Sequence, residues 1–131
     1  MATLMLEVVT PDKTVLKEEV DMVICPGSEG EFGILPNHAS LLSALRMGPL
    51  RYRKADRDEV LFISGGFLDM HGDICSVLAE SAEKAADIDK ARALAAKERA
   101  EKRLAAKKED LDEARANMAL KRAIMRLQLA R

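Results

Sequence analysis

The chain has 131 residues, 48% hydrophobic and 33% charged, with only 3% aromatic and no Trp. That balance excludes disorder and predicts a soluble globular chain with an aliphatic core, large enough for one ordinary domain plus an appendage. The formal charge of −1 conceals an asymmetry: residues 1–83 carry 7 basic and 14 acidic side chains, whereas residues 84–131 carry 14 and 8.

Leu4, Leu6 and Val8 alternate with Thr3, Met5 and Glu7, the period of a strand whose two faces differ. Thr10-Pro11-Asp12-Lys13 suits a turn with Pro at its second position. Val20, Met22 and Ile24 alternate with Glu19, Asp21 and Val23 as the next strand. The stretch Gly27 to His38 then interrupts the strands. Its glycines, Gly27, Gly30 and Gly33, faintly resemble a phosphate loop, but no Lys-Ser or Lys-Thr follows and no helix opens there. They are read as positive-φ glycines in a turn. Asp56-Arg57-Asp58 marks another turn, and Val60-Leu61-Phe62-Ile63 is a continuous apolar run, as in a strand buried on both sides. Gly65-Gly66 reads as a bend or a close strand contact. Gly72-Asp73 turns the chain into a last strand, where Ile74, Ser76 and Leu78 alternate with Cys75, Val77 and Ala79. Short strands broken roughly every 8–12 residues predict a small antiparallel β-sandwich over residues 1–84.

Residues 85–131 have another texture. Ala, Leu, Lys, Arg and Glu dominate, and neither Gly nor Pro occurs from Ile88 onward. Asp87 is the expected N-cap of a helix running from about Ile88 to Ala106, with Asp89 in its first turn. Lys107-Lys108-Glu109-Asp110 is a polar break, and Asp110 is the expected cap of a second helix reaching about Ala130. Ile88, Ala91, Leu94 and Ala95 are the expected apolar side of the first helix. Leu111, Ala114, Met118, Met125 and Leu129, flanked by Leu120, Ile124 and Leu127, are that of the second. The short link makes the pair an antiparallel hairpin. Ala contributes little burial compared with the roughly 1.5–3 kcal/mol of a large aliphatic side chain, so a weakly held, mobile hairpin is expected.

No apolar run is long enough for a bilayer and no leader-like segment opens the chain, so a cytosolic location without a signal peptide is expected. Cys25 and Cys75 are then reduced core residues, and with His38 and His71 they lack metal-ligand spacing. The two histidines read as loop and turn residues. Enzyme chemistry lacks its equipment: there is no nucleophile–base pair, ligand set or phosphate loop. Nucleic-acid binding lacks aromatic stacking and a recognition motif. After Glu113 only Arg115, Lys121, Arg122, Arg126 and Arg131 are charged, a basic end that seeks an acidic partner or an anionic ligand.

Leu6-Glu7-Val8-Val9-Thr10-Pro11-Asp12, the loop Gly30-Glu31-Phe32-Gly33-Ile34-Leu35-Pro36-Asn37-His38-Ala39 and Ser64-Gly65-Gly66-Phe67-Leu68 together resemble the epsilon subunits of F-type ATP synthases along the whole chain. Ser40 departs mildly, since Pro often follows the His-Ala pair. Ile88-Asp89-Lys90-Ala91-Arg92-Ala93 is similar to the I/L-D-x-x-R-A motif of ATP-binding epsilon subunits. Glu83, Arg122 and Arg126 stand where that family places an acidic residue and two arginines. The resemblance implies a bacterial, non-catalytic rotor subunit at the cytoplasmic face of the cell membrane. Its sandwich docks on the gamma subunit and the c-ring. Its hairpin, when extended, meets the alpha and beta subunits through Arg115, Lys121, Arg122 and Arg126 and restrains ATP hydrolysis. It implies ATP as a regulatory ligand of Glu83, Ile88, Asp89, Arg92, Ala93, Arg122 and Arg126, leaves Mg2+ open as its companion, and makes Arg99 a further candidate.

The physics of that constellation is coherent. Asp89 and Arg92 share a helix face, as do Arg122 and Arg126, and an antiparallel fold brings the arginines together where a triphosphate would neutralise them. The plainer alternative is a first-turn charge with an i,i+3 ion pair at Asp89 and Arg92, and a solvated basic face at Arg122 and Arg126. A free-standing cytosolic ATP sensor is the other function open to such a hairpin. The isolated chain is expected to be a monomer.

Overall fold

A computed structural model describes residues 2–106, 108 and 111–131. The chain divides into two compact units, Met1–Lys84 and Ala85–Arg131.

The first unit is a β-sandwich. Its strands are β1 (Leu4–Val9), β2 (Thr14–Val20), β3 (Met22–Gly27), β4 (Gly30–Ile34), β5 (Leu41–Leu45), β6 (Gly48–Lys54), β7 (Arg57–Ile63), β8 (Gly66–His71), β9 (Ile74–Ala79) and β10 (Ala82–Lys84). They run in the order β10-β7-β6-β3-β5-β8-β9-β1-β2, with β4 paired to β3. β2, at one end of that order, approaches β6 and β10 near the other, so the sheet curls back on itself and encloses one core. Every ladder is antiparallel except β1 with β9, which run parallel.

The period-two patterns explain the core. Leu4, Leu6 and Val8 of β1 are buried, and so are Cys75, Val77 and Ala79 of β9 beside them. Leu61, Phe62 and Ile63 are all buried, as expected for a strand covered on both faces; Leu61 and Ile63 belong to the sandwich core and Phe62 points the other way. The thiols of Cys25 and Cys75 are free and lie in this core. Burial pushes both up, Cys75 to about 12; Cys25 goes further because the Cys75 thiol adds a coulombic push.

Three expectations change in detail. Val20 to Ile24 is not one strand: a bend at Asp21 separates β2 from β3, so Val20, Val23 and Cys25 face the core while Met22 and Ile24 take the opposite side. The stretch Gly27 to His38 contains a strand, β4, and only Gly30 of its glycines has positive φ (134°); Gly27 instead sits too close to the Gly30 carbonyl and the Phe32 ring for a side chain. The turn before β7 is Ala55-Asp56, both at positive φ (50° and 64°), because the Arg53–Asp58 and Lys54–Arg57 pairs close a two-residue hairpin there. Gly65 and Gly66 are the close contact expected: a Cβ on Gly66 would meet the Leu78 carbonyl of the adjacent strand.

The second unit is a helical hairpin. A 3-10 turn, Ala85–Asp87, leads into α1 (Lys90–Ala106), and α2 (Glu113–Leu129) returns along it. Its seam is alanine: Ala93 and Ala100 of α1 and Ala116 and Ala123 of α2 are buried. Ala91 and Ala114 are exposed, as are Leu94 (47%) and Met118 (44%), although all four were expected on the apolar sides. Two helices approach most closely where side chains are smallest, so alanines take the seam and larger residues such as Leu120, Ile124 and Leu127 flank it, half-buried.

Candidate functional site

The start of α1 carries the motif Ile88 to Ala93. Asp89, not Asp87, caps the helix: its Oδ1 accepts from the Arg92 backbone N–H at 3.1 Å, and its carbonyl accepts the first helical bond, from Ala93, at 3.0 Å. Asp87 belongs to the preceding 3-10 turn. The Asp89–Arg92 relationship is therefore a cap and not the side-chain ion pair of the plainer reading. Ile88 and Ala93 are buried, while Asp89 and Arg92 are exposed. Arg99 is exposed farther along α1.

α2 is capped by Asp112, whose Oδ1 accepts from the Arg115 N–H at 3.0 Å. Asp110 lies outside the described residues. Arg115 and Arg122, seven residues apart, lie along one stripe of α2 beside Ala116 and Ala123, with Arg126 one turn farther on. Lys121 projects about a quarter-turn away from that stripe. Arg115 and Lys121 are exposed, and Arg122 and Arg126 are half-buried. Among the described residues, Arg92, Arg115, Lys121 and Arg122 have no carboxylate within ion-pairing distance, whereas Arg126 and Arg131 are engaged.

The hairpin brings its open ends together. The Arg131 N–H donates to the Ala85 carbonyl at 3.2 Å. Eight residues from Ala85 to Ala93 and seven more to Ala100 match the same steps back from Arg131 to Ala123 and Ala116, so one antiparallel register relates all three pairs. It sets the last turns of α2, with Arg122 and Arg126, beside the first turns of α1, with Asp89 and Arg92. Glu83 lies in the other unit, on β10, paired in register with Phe62 of β7. What such an arrangement can do chemically is hold an anion between cationic side chains, with the carboxylate of Asp89 at its rim.

A second surface belongs to the sandwich. Ala44, Phe67, Leu78 and Val9 stand side by side across β5, β8, β9 and β1. Phe67 is 57% and Leu78 55% exposed, and Leu42, two residues along β5, is 74% exposed. A groove of about 370 Å³ opens at the end of this row between Pro11, Phe67, Leu78 and Glu80. Sequence reasoning did not single out this face. The signal was present: beside the core-facing Cys75, Val77 and Ala79, the other face of β9 carries Ile74 and Leu78 around a single Ser76, so it too is largely apolar. Among the described residues no group of ligating side chains is poised for a metal, and no helix is long and apolar enough to cross a membrane.

Comparison with known proteins follows the same division. Residues 3–85 match the family described as ATP synthase, Delta/Epsilon chain, beta-sandwich domain, and residues 86–131 match its long alpha-helix domain. An ATP synthase epsilon chain of Syntrophobacter fumaroxidans is 50% identical over 95% of this chain and 93% of its own length. One from Nitratidesulfovibrio vulgaris is 55% identical over 79% of this chain and 77% of its own. Among solved structures, a chain of the Euglena gracilis mitochondrial ATP synthase (OSCP/F1/c-ring) is similar with a TM-score of 0.69 at 24% identity, covering 98% of this chain and 77% of that one. A chain of the Tetrahymena thermophila mitochondrial ATP synthase central stalk and c-ring is similar at 0.57 and 17%, covering 95% and 91%. At those identities the likeness is one of fold.

Proposed function

The chain belongs to the ATP synthase delta/epsilon family, and on that premise we propose that it is a rotor subunit whose helical hairpin restrains ATP hydrolysis and senses ATP. It is an accessory chain of the complex and not its catalytic part. The sandwich docks on the gamma subunit and the c-ring at the cytoplasmic face of the membrane and turns with them. The exposed row of Ala44, Phe67 and Leu78, continued by half-buried Val9, supports gamma docking, because contiguous apolar surface on such a subunit marks a partner.

The observation that carries the regulatory reading is the Arg131–Ala85 backbone bridge, which sets the helix end bearing Arg122 and Arg126 beside the helix start bearing Arg92. Arg92 and Arg122 have no carboxylate within ion-pairing distance among the described residues, and a triphosphate would neutralise them through charge-assisted hydrogen bonds, with Arg126 as a further donor. Asp89, with one oxygen committed to its cap, or else Glu83, would accept from the adenine amino group or the ribose, and Ile88 and Ala93 complete the proposed motif. ATP would bind only the closed hairpin and shift the population toward it. Opened, the hairpin would reach the alpha and beta subunits, where Arg115, Lys121, Arg122 and Arg126 would meet acidic side chains and stop rotation in the hydrolysis direction.

The test is direct. Purify the assembled enzyme with wild-type chain and with R122A/R126A, and measure ATP hydrolysis together with ATP binding to the chain alone. Loss of both inhibition and binding supports shared arginines; loss of only one refutes the sharing. The free-standing sensor reading predicts that the chain does not co-purify with gamma. The exposed apolar row favours the rotor reading over it.

A further inference from the structure

We propose that the backbone bridge between Arg131 and Ala85 is a latch that closes the hairpin and sets the nucleotide affinity of the site it frames; the affinity arm of this inference rests on the ATP reading above. Ala85 is 2% exposed in the closed hairpin, so its carbonyl is satisfied by the chain and not by water while the bridge holds. It accepts from Arg131 at 3.2 Å and, less closely, from Ile88 at 3.4 Å. Breaking the bridge strands this carbonyl on the longer bond alone.

The bridge is placed to govern the site from both sides. On one side, the 3-10 turn Ala85–Asp87 is followed at once by Ile88 and the Asp89 cap. On the other, the Ala130 N–H donates to the Arg126 carbonyl at 2.9 Å, and Ala130 then leaves the helix at φ −60°, ψ 138°, which aims the Arg131 amide at Ala85. One backbone bond thus joins the segment that positions Asp89 and Arg92 to the turn that carries Arg126. An alanine seam contributes little burial to hold two helices together, so a terminal bond weighs more here than in a hairpin packed with leucines. Opening the hairpin requires that this bond break first or together with the seam.

Because the donor is a main-chain N–H, side-chain replacement leaves the latch intact and only proline removes it. Ala130 already has the extended geometry that a residue before proline adopts, so R131P deletes the donor without unwinding α2. R131A removes the same side chain and keeps the donor, which makes the two variants a matched pair.

The experiment uses the full chain. Hydrogen exchange of the Ile88 amide and of the last turn of α2 is followed without nucleotide, and ATP is titrated into both variants. The latch predicts exchange about three- to tenfold faster in R131P than in R131A, and an ATP Kd higher by a similar factor. Equal exchange in the two variants overturns the latch. If exchange differs and ATP binds neither variant nor the wild type, the latch stands and the nucleotide reading falls. If exchange differs and both variants bind ATP equally, the claim that the latch sets affinity is overturned.

Discussion

The carboxylate of Asp89 caps α1 by accepting the backbone N–H of Arg92 at 3.1 Å, which leaves the Arg92 guanidinium unpaired with the residue three positions before it. Helix start and candidate ligand thus meet in one residue pair, and the two roles separate by substitution. D89N keeps a good cap and loses the charge, while D89A loses both. D89A should cost the hairpin about 1 kcal/mol, read as faster amide exchange in the first turn of α1. D89N should leave exchange unchanged and still weaken ATP binding. Equal ATP binding by D89N and wild type would reduce Asp89 to a cap.

The Gly66 backbone has φ 148° and lies so close to β9 that an added methyl would strike the Leu78 carbonyl. G66A should therefore destabilise the sandwich by about 3 kcal/mol or more, through strain and a displaced β8–β9 ladder. A urea titration checks it: the midpoint should fall steeply. G72A, at φ 61° in open space, should cost less.

Phe67 and Leu78 are more than half exposed and adjacent across two strands. F67D and L78D should leave the thermal midpoint within a few degrees, because neither side chain is in the core. Both should abolish co-purification with gamma. A variant that still holds gamma at wild-type stoichiometry would move the docking surface elsewhere.

Both core thiols titrate later folded than unfolded, since burial raises them above the ordinary thiol value of 9.0, Cys75 to about 12. Above the unfolded value the unfolded chain releases protons that the folded chain keeps. The contribution is thus fully present below pH 9 and is lost as pH rises through the folded value. Stability should fall with rising pH above 9 more steeply than in C25A/C75A. Denaturant midpoints across that range decide it: matching pH slopes for the two proteins would show that the thiols are not shielded.

Much of this was legible in the sequence because the patterns are strong. Leu4, Leu6 and Val8, the run at Phe62 and the Gly66 contact all follow from period and residue type, and the two-helix hairpin follows from a stretch of helix formers without Gly or Pro, divided by one polar break. The misreadings have physical causes. Asp87 and Asp89 are equally good caps on paper, and the 3-10 turn at Ala85–Asp87 decides between them. Ala55-Asp56 lacks the Asn-Gly signal of its turn type, so cross-strand pairing rather than residue preference fixes it. Apolar stripes are sought among large residues, which hides a seam built from Ala93, Ala100, Ala116 and Ala123. Arg122 and Arg126 were legible as a pair, but the bond that brings their helix end to Ala85 uses main-chain atoms and leaves no mark on the sequence.

The central claim, a hairpin that opens and closes with nucleotide, is met most directly by a distance across it. Ala91 and Gln128 are exposed near its open end, and the native thiols are buried, so A91C/Q128C takes spin labels selectively. In the assembled enzyme, pulsed dipolar measurements at saturating ATP should give one short distance, and nucleotide-stripped enzyme should add a population tens of ångströms longer. A single short distance under both conditions would contradict the account and leave a fixed piece of the stalk.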